Sequence, residues 1–234
     1  MGVAPESLDH SRESKLVKPK IEAVIFDMDG LMFNTEDIYN VVGDNILKPR
    51  GREFTRELKL LMMGLPGTKA FQVMVDHCHL EDTPETLENE CEAMFAELLP
   101  REIQTMPGLM ELLERLEQLG IPKAVATSSQ LRFAKIALNQ FDLMPRFKFV
   151  LTAESVVKGK PHPDVYLLAA KKMELEPSQL LVLEDSVTGS QAAAAAGTTV
   201  IAVPTQYSLG CDFSHVDHVV SSLEDDLILE TVER

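Results

Sequence analysis

Short apolar runs alternate with helix-like stretches over most of this chain, and that alternation limits the folds it can adopt. The runs cover residues 23–26, 124–126, 149–151, 180–183 and 200–203, and helical patterns fall near residues 109–119, 130–141, 163–173 and 188–196. Runs this short and wholly apolar are typical of strands buried on both faces. Strands that alternate with helices form a parallel sheet with helices on both sides. The sequence therefore predicts an α/β fold with a doubly wound, Rossmann-like parallel sheet.

One long stretch interrupts the alternation, because residues 36–100 contain helical patterns and no strand pattern. One helical face there is formed by Leu87, Cys91, Met94, Phe95 and Leu98. We therefore predict an all-helical insertion at residues 35–101 in an α/β core made of residues 21–34 and 102–234. Residues 1–20 are polar and lack apolar periodicity, which predicts a mobile N-terminal tail.

Acidic residues stand at the ends of two predicted strands. Asp27 and Asp29 follow the first strand, and a turn at Gly30 can bring both side chains toward one place. Glu184 and Asp185 end a later strand, and the carboxyl ends of parallel strands meet at one edge of the sheet. Two pairs of carboxylates repel each other unless a cation lies between them, and an all-oxygen ligand set favours Mg²⁺ over zinc. The alternative is that each pair only forms a turn or caps a helix.

Hydroxyl groups and a lysine occupy two further positions at predicted helix starts. Thr127, Ser128 and Ser129 follow one strand and precede a helix, where hydroxyls and free N–H groups can hold a phosphate or only cap the helix. Lys160 precedes another helix and could neutralise both carboxylates and phosphate oxygens. Without those neighbours it would be an ordinary surface lysine.

Four segments can now be compared as a set. They are residues 27–30 (Asp-Met-Asp-Gly), 126–128 (Ala-Thr-Ser), 160–164 (Lys-Pro-His-Pro-Asp) and 184–186 (Glu-Asp-Ser), the last followed by Gly189 and an alanine run. In order and spacing they resemble the four motifs of the haloacid dehalogenase-like (HAD) hydrolases, and the resemblance covers essentially the whole chain after residue 20. It implies that the insertion is a cap domain, as in the subfamily of phosphatases and β-phosphoglucomutases. Several segments look most like its pseudouridine-5′-phosphatase-like branch.

The resemblance implies roles for the four carboxylates. Asp27 would attack phosphorus and become an aspartyl-phosphate, and Asp29 would act as general acid and base. Mg²⁺ would be held by Asp27, by the backbone carbonyl of Asp29 and by Asp185. Glu184 would be a further ligand or a partner behind the ligands.

The remaining motif residues would act on the phosphate. Thr127 and Ser128 would hold its oxygens, and Lys160 would neutralise the charge that develops. The implied activity is Mg²⁺-dependent hydrolysis of a small phosphomonoester, such as a sugar or nucleoside phosphate, through an aspartyl-phosphate.

Three alternatives share this core. A β-phosphoglucomutase-like phosphomutase would have a histidine after the hinge and an arginine in the cap loop, where this chain has Tyr39 and residues 64–68. A non-catalytic phosphometabolite-binding protein would be expected to have lost one or more of the motif residues, yet all are present. A dehalogenase would not need Asp29 as an acid.

Composition and net charge limit the kinds of partner that this protein can bind and the cellular compartment in which we expect it. The net charge of −15 disfavours binding to nucleic acid and to anionic membranes. No apolar stretch reaches the ~18 residues of a spanning helix, and three widely spaced cysteines are typical of reduced thiols. We therefore expect a cytoplasmic enzyme that acts on a small phosphorylated metabolite, binds no nucleic acid or membrane, and is a monomer by default.

Three further predictions concern individual residues. Asn34 stands where many relatives of the resembled family have aspartate, which predicts a change in cap contacts or local hydrogen bonding rather than lost chemistry. His77, His79 and His162 are expected to be surface or packing residues rather than metal ligands. Pro107 is expected to lie in the first turn of a helix.

Overall fold

A computed structural model describes residues 20–62, 65 and 67–233. The predicted tail at residues 1–20 therefore lies, apart from Lys20, outside the described residues. Six strands form one sheet in the order β3-β2-β1-β4-β5-β6, and each neighbouring pair is parallel. They are β1 (Ala23–Phe26), β2 (Lys123–Ala126), β3 (Val150–Leu151), β4 (Leu180–Glu184), β5 (Thr199–Ala202) and β6 (His218–Val219). This is the strand order of a doubly wound sheet, so the predicted fold class is confirmed.

Nine α-helices occur in the described part of the chain. They are α1 (Thr35–Leu47), α2 (Arg56–Met62), α3 (Gly67–Cys78), α4 (Pro84–Glu102), α5 (Leu109–Gln118), α6 (Leu131–Gln140), α7 (Asp164–Met173), α8 (Val187–Ala196) and α9 (Asp226–Glu233). The first five lie between β1 and β2, and the first four of these cover the stretch in which the sequence predicts only helices. Among these described helices, none combines the length and the apolarity that crossing a bilayer requires.

The central strand β1 is buried on both faces, as its apolar sequence predicts. Ala23 and Ile25 pack in one cluster with the buried faces of α7 and α8. Val24 and Phe26 pack in the other cluster, with α5, α6 and α9. The alternation of side chains along an extended strand places successive residues on opposite faces. Helices therefore cover both sides of the sheet.

The helical insertion packs on the core through a row of aromatic rings. Tyr39 of α1 stacks on Phe95 of α4 with ring centres 4.2 Å apart, and Phe95 meets the edge of Phe133 of α6 at 5.1 Å. Such ring pairs contribute beyond the area that they bury. The structure thus joins the insertion to the helix that follows β2. The boundaries of a separate cap domain stay a prediction.

Two short elements near the C-terminus are not predicted from the sequence. Strand β6 has two residues and lies at the sheet edge, and α9 has eight residues. Both are shorter than the window in which a hydrophobic period can be recognised.

The prediction that Pro107 lies in the first turn of a helix is wrong. Helix α5 begins at Leu109, because Gly108 adopts a left-handed conformation (φ 81°) that ends the preceding segment. A Cβ at Gly108 would lie 2.6 Å from the backbone nitrogen of Glu224. Only glycine fits this backbone angle and this close approach without strain.

Replacing Gly108 tests this account of the helix start. Gly108→Ala and Gly120→Ala both introduce a side chain at positive φ (81° and 69°), which costs about 1–2 kcal/mol. Gly120 has open space around the added methyl, whereas Gly108 meets the chain at Leu223 and Glu224. We expect Gly108→Ala to lower the free energy of unfolding in urea by about 1–3 kcal/mol more than Gly120→Ala. Equal losses would contradict the close approach.

Candidate active site

The two acidic pairs meet where the strand order reverses. In the register of β1 and β4, Phe26 lies opposite Leu183, so Asp27 and Glu184 leave adjacent strands side by side. The backbone N–H of Asp27 donates to the carbonyl of Leu183 at 3.0 Å. A cavity of about 490 Å³ opens at this edge, and both Asp27 and Asp185 line it. Ligands of doubly wound sheets bind at such a crevice.

Lys160 places one positive charge between the acidic strand ends. Its Nζ lies 2.6 Å from Oδ1 of Asp27 and 2.7 Å from Oε1 of Glu184, and it donates to the carbonyl of Ala126 at 3.0 Å. The lysine side chain is only 5% exposed. Burial lowers the pKa of Lys160, but Asp27 and Glu184 outweigh that effect and hold the pKa well above its usual value. The ammonium group therefore stays charged.

Glu184 is fully enclosed, and both of its oxygens have partners. Oε1 also accepts from the hydroxyl of Tyr166 at 2.6 Å, and Oε2 accepts from the hydroxyl of Ser186 at 3.0 Å. Ser186 also caps α8, where its Oγ accepts from the N–H of Gly189. A Cβ at Gly189 would lie 1.8 Å from Oε1 of Glu184. The start of α8 is therefore built around this carboxylate.

Asp29 points to the hydroxyl segment that follows β2. Its Oδ2 accepts from the hydroxyls of Thr127 and Ser129, both at 2.8 Å, while its Oδ1 is buried and has no hydrogen-bond partner. Gly30, with φ 79°, makes the turn after Asp29. Asp27 and Asp29 line the same cavity, as the turn was expected to allow.

Ser128 and Thr127, which are both predicted to hold phosphate, differ in exposure and in hydrogen bonding. Ser128 is exposed and lines the cavity. Thr127 is buried, its N–H donates to the carbonyl of Leu151, and its hydroxyl donates to Asp29. Thr127 would have to turn its hydroxyl away from Asp29 to bind a phosphate oxygen. Both roles stay predictions.

Three carboxylates could hold a metal ion together. One oxygen each of Asp27, Glu184 and Asp185 lies within 4.8 Å of the others. Burial raises the pKa of Asp185 well above its usual value, and the charges of Asp27 and Glu184 raise it further. Burial likewise raises the pKa of Asp27, against the effect of Lys160. One lysine does not balance this negative charge, and a hard cation would.

Asn34 ties the two ends of the helical insertion together. Its Oδ1 accepts from the N–H of Gln104 at 2.7 Å, and its Nδ2 donates to the carbonyl of Glu102 at 3.3 Å. A carboxylate could accept the first bond but could not donate the second. The bond from Nδ2 to Glu102 is therefore one that an aspartate at this position could not make.

The structure adds residues that the sequence analysis did not name for the site. Tyr166 binds Glu184, and the hydroxyl of Ser208 donates to the carbonyl of Asp185 at 2.7 Å. Tyr166 lies on the buried face of α7, so its apolar neighbours made it indistinguishable from a core residue. His77, His79 and His162 are exposed, in agreement with their predicted surface role.

This chain resembles known proteins over most of its length. A family model described as haloacid dehalogenase-like hydrolase matches residues 24–203. A "Probable pseudouridine-5′-phosphatase" of Drosophila melanogaster is 36% identical over 212 residues, which cover 88% of this chain and 91% of that protein. A "Phosphorylated carbohydrates phosphatase" of Thermotoga maritima is 33% identical over 181 residues, which cover 76% of this chain and 82% of that protein.

A solved structure shares the fold of most of this chain. CbbY from Rhodobacter sphaeroides, in complex with phosphate, superposes with a TM-score of 0.79 at 26% identity. The match covers 92% of this chain and 100% of that chain.

Removing one hydroxyl tests how much the buried cluster depends on Tyr166. We expect Tyr166→Phe to lower the free energy of unfolding by about 1–3 kcal/mol, because Glu184 loses a donor in a site that water does not reach. Tyr207→Phe is the matched control, since its hydroxyl binds the exposed Asp37 and its loss should cost less. The measurement is urea unfolding at neutral pH. Equal stability of Tyr166→Phe and the wild type would contradict this role.

Proposed function

Because the chain belongs to the haloacid dehalogenase-like hydrolase family, we propose that it hydrolyses small phosphomonoesters through a phosphoryl group carried on Asp27. The observation that carries the proposal is the arrangement of two carboxylates in one cavity. Asp27 is held by Lys160 at 2.6 Å, and Asp29 has one oxygen without a partner. Two carboxylates in such different surroundings can divide the roles of nucleophile and acid.

In the first step, an oxygen of Asp27 forms a bond to phosphorus as the ester P–O bond breaks. The leaving oxygen takes a proton from Asp29, whose Oδ1 has no hydrogen-bond partner to compete for it. Thr127 and Ser129 hold the other oxygen of Asp29 and so fix the direction of the carboxyl group. Such fixed geometry is a large part of catalysis in phosphoryl transfer.

In the second step, water attacks the phosphorus of the aspartyl-phosphate. Asp29, now ionised, takes a proton from that water, and the bond between phosphorus and Asp27 breaks. The products are inorganic phosphate and the two original carboxyl groups. Lys160 stays beside Asp27 through both steps and offsets negative charge on the oxygens around phosphorus.

A divalent cation fits the donor set. Asp27, Asp185 and the backbone carbonyl of Asp29 would hold it, and we propose Mg²⁺ because the available side-chain donors are carboxylate oxygens. Both oxygens of Glu184 are already hydrogen-bonded, so Glu184 fits better as the residue that holds Lys160. When bound, the cation would supply positive charge to the phosphate oxygens.

The side chains and the relatives also support proposals about the substrates, the cellular compartment and the choice between phosphatase and mutase. Esters of sugars and nucleosides are the substrates that we propose, since the names of the relatives specify a pseudouridine phosphate and phosphorylated carbohydrates. We place the enzyme in the cytoplasm, because Cys78, Cys91 and Cys211 are free thiols. At the position where a mutase would have histidine, Tyr39 stacks on Phe95, which favours the phosphatase over the mutase. Part of the loop at residues 64–68 lies outside the described residues.

The proposed activity can be measured as phosphate release. We expect Mg²⁺-dependent release from a panel that includes pseudouridine 5′-phosphate and hexose phosphates, and none in EDTA. Asp27→Asn should lower kcat by at least about 10³-fold, because a carboxamide cannot form the acyl phosphate. Its far-ultraviolet circular dichroism should match the wild type. Isomerised sugar phosphate, formed only with a bisphosphate activator, would indicate the mutase, and wild-type activity in Asp27→Asn would exclude this nucleophile.

Thermal unfolding tests the metal site without an activity assay. Because the pKa of Asp185 is raised in the folded state, this group lowers stability as the pH rises above the pKa of an unfolded aspartate, and its full cost is present above the folded pKa. In EDTA at pH 8, Asp185→Asn should therefore be as stable as the wild type or more so. In Mg²⁺ at about 100 times its Kd, the wild type should gain about 2.7 kcal/mol and Asp185→Asn much less. Asp44→Asn, at an exposed pair with Lys48, should gain as much as the wild type. Equal gains in wild type and Asp185→Asn would contradict the ligand assignment.

A further inference from the structure

A second cavity of about 360 Å³ lies beside the catalytic one, on the side of the helical insertion. The two cavities share five lining residues, which are Glu36, Leu65, Gly67, Ser128 and Gln130. An ester whose phosphoryl group is at Asp27 would therefore extend its leaving group into this second space, which we name the leaving-group cavity. The inference that follows rests on the proposed phosphatase function.

Aromatic rings form much of the wall of the leaving-group cavity. Tyr39, Phe54, Phe71, Phe95 and Phe133 all line it. Rings of this kind present flat apolar surfaces against which a sugar ring or a base can pack. The wall therefore suits a leaving group with an apolar face.

The cavity holds no available positive charge among the described residues. Lys59 is the only lysine or arginine that lines it there, and its charge is already paired. Its Nζ forms an ion pair with Oε2 of Glu36 at 2.8 Å and donates to the carbonyl of Glu36 at 3.2 Å and to Oδ1 of Asn40 at 3.0 Å. The Nζ also lies 3.5 Å from the ring centre of Tyr207. The carboxylate of Glu36 therefore offsets the charge of Lys59 within the wall, and the pair offers no net positive charge to an anion.

A second carboxylate in the wall is already neutralised. Glu92 accepts from Nε2 of Gln130 at 2.7 Å and forms an ion pair with Arg132. The guanidinium group of Arg132 also lies over the ring of Phe133, and Arg132 does not line the cavity. This pair joins α4 to the start of α6 and offers no charge to a ligand.

Glu88 differs from the other two acidic residues of the wall. Its Oε2 accepts from the hydroxyl of Thr68 at 2.7 Å, and no lysine or arginine in the described part of the chain pairs with it in the structure. Its Oε1 lies 2.5 Å from where a Cβ of Gly67 would be, and Gly67 lines both cavities. The carboxylate thus stands at the passage between the phosphate position and the leaving-group cavity, with negative charge that no neighbour offsets.

We propose that Glu88 is a specificity-determining residue that selects phosphomonoesters with an uncharged, hydroxyl- or N–H-bearing leaving group and rejects those with a carboxylate or a second phosphate. The carboxylate can accept hydrogen bonds from such donors. It repels a second anion, for which the wall has no free cation. A site can discriminate between ligands that differ in one charged group more strongly than between ligands that differ in apolar size.

Matched pairs of esters test the proposal. Sorbitol 6-phosphate is paired with 6-phosphogluconate, and glycerol 3-phosphate with 3-phosphoglycerate, since the members of each pair are open chains that differ by a hydroxymethyl group against a carboxylate. We expect the wild type to favour the uncharged member by about tenfold or more in kcat/KM. Glu88→Gln should reduce that ratio several-fold, and Glu88→Lys should abolish or reverse it. Glu97→Lys is the control, because Glu97 is on the same helix but 66% exposed, and its ratio should equal that of the wild type.

Two outcomes overturn the proposal while the phosphatase stands. One is equal hydrolysis of both members by the wild type, and the other is an unchanged ratio in Glu88→Lys. If no ester of the wider panel releases phosphate, the phosphatase proposal fails by itself. In that case, the affinity of Asp27→Asn for each member of the same pairs is measured by calorimetry. This tests whether the protein discriminates between the two members without any turnover. Equal affinity for both members, or no binding of either, would reject it.

Discussion

The site depends on one buried ammonium group, that of Lys160, held between two carboxylates from adjacent strands. Burying Asp27 or Glu184 alone would be costly, because an unpaired charge loses its hydration. Lys160 offsets part of that cost with contacts of 2.6 and 2.7 Å. It cannot offset Asp185 as well, so the cluster keeps excess negative charge. A cation held by that excess charge would make the site locally attractive to the proposed phosphate ester, although the protein has a net charge of −15.

The sheet topology supplies this arrangement. Asp27 and Lys160 are 133 residues apart in the chain, yet the reversal of strand order places their elements at one edge. Two glycines then allow close packing around the carboxylates, since a Cβ at Gly30 would lie 2.2 Å from Asp185 and one at Gly189 would collide with Glu184. The small residues of the motifs are therefore as necessary to the geometry as the charged ones.

The helical insertion completes the pocket with opposite electrostatics. In the catalytic cavity three carboxylates could hold a cation, whereas the leaving-group cavity has no such cluster among its described lining residues and its one lysine, Lys59, is paired with Glu36. With a cation bound, the first cavity would favour an anion, and the second would not. The two cavities together therefore suit a substrate with a phosphoryl group at one end and an uncharged, partly apolar group at the other.

The sequence by itself determined the parallel sheet, the helical insertion and the segments that carry the motifs, because hydrophobic periods and strand-end residues are local signals. It could not determine β6, α9 or the start of α5, where the elements are too short or depend on the close approach of Gly108 to Glu224. Only the tertiary structure decided the hydrogen-bond partners. Thr127 donates to Asp29, Tyr166 donates to Glu184, and Lys59 is paired with Glu36. These contacts join residues far apart in the chain, and side-chain orientation at such contacts leaves no periodic trace in the sequence.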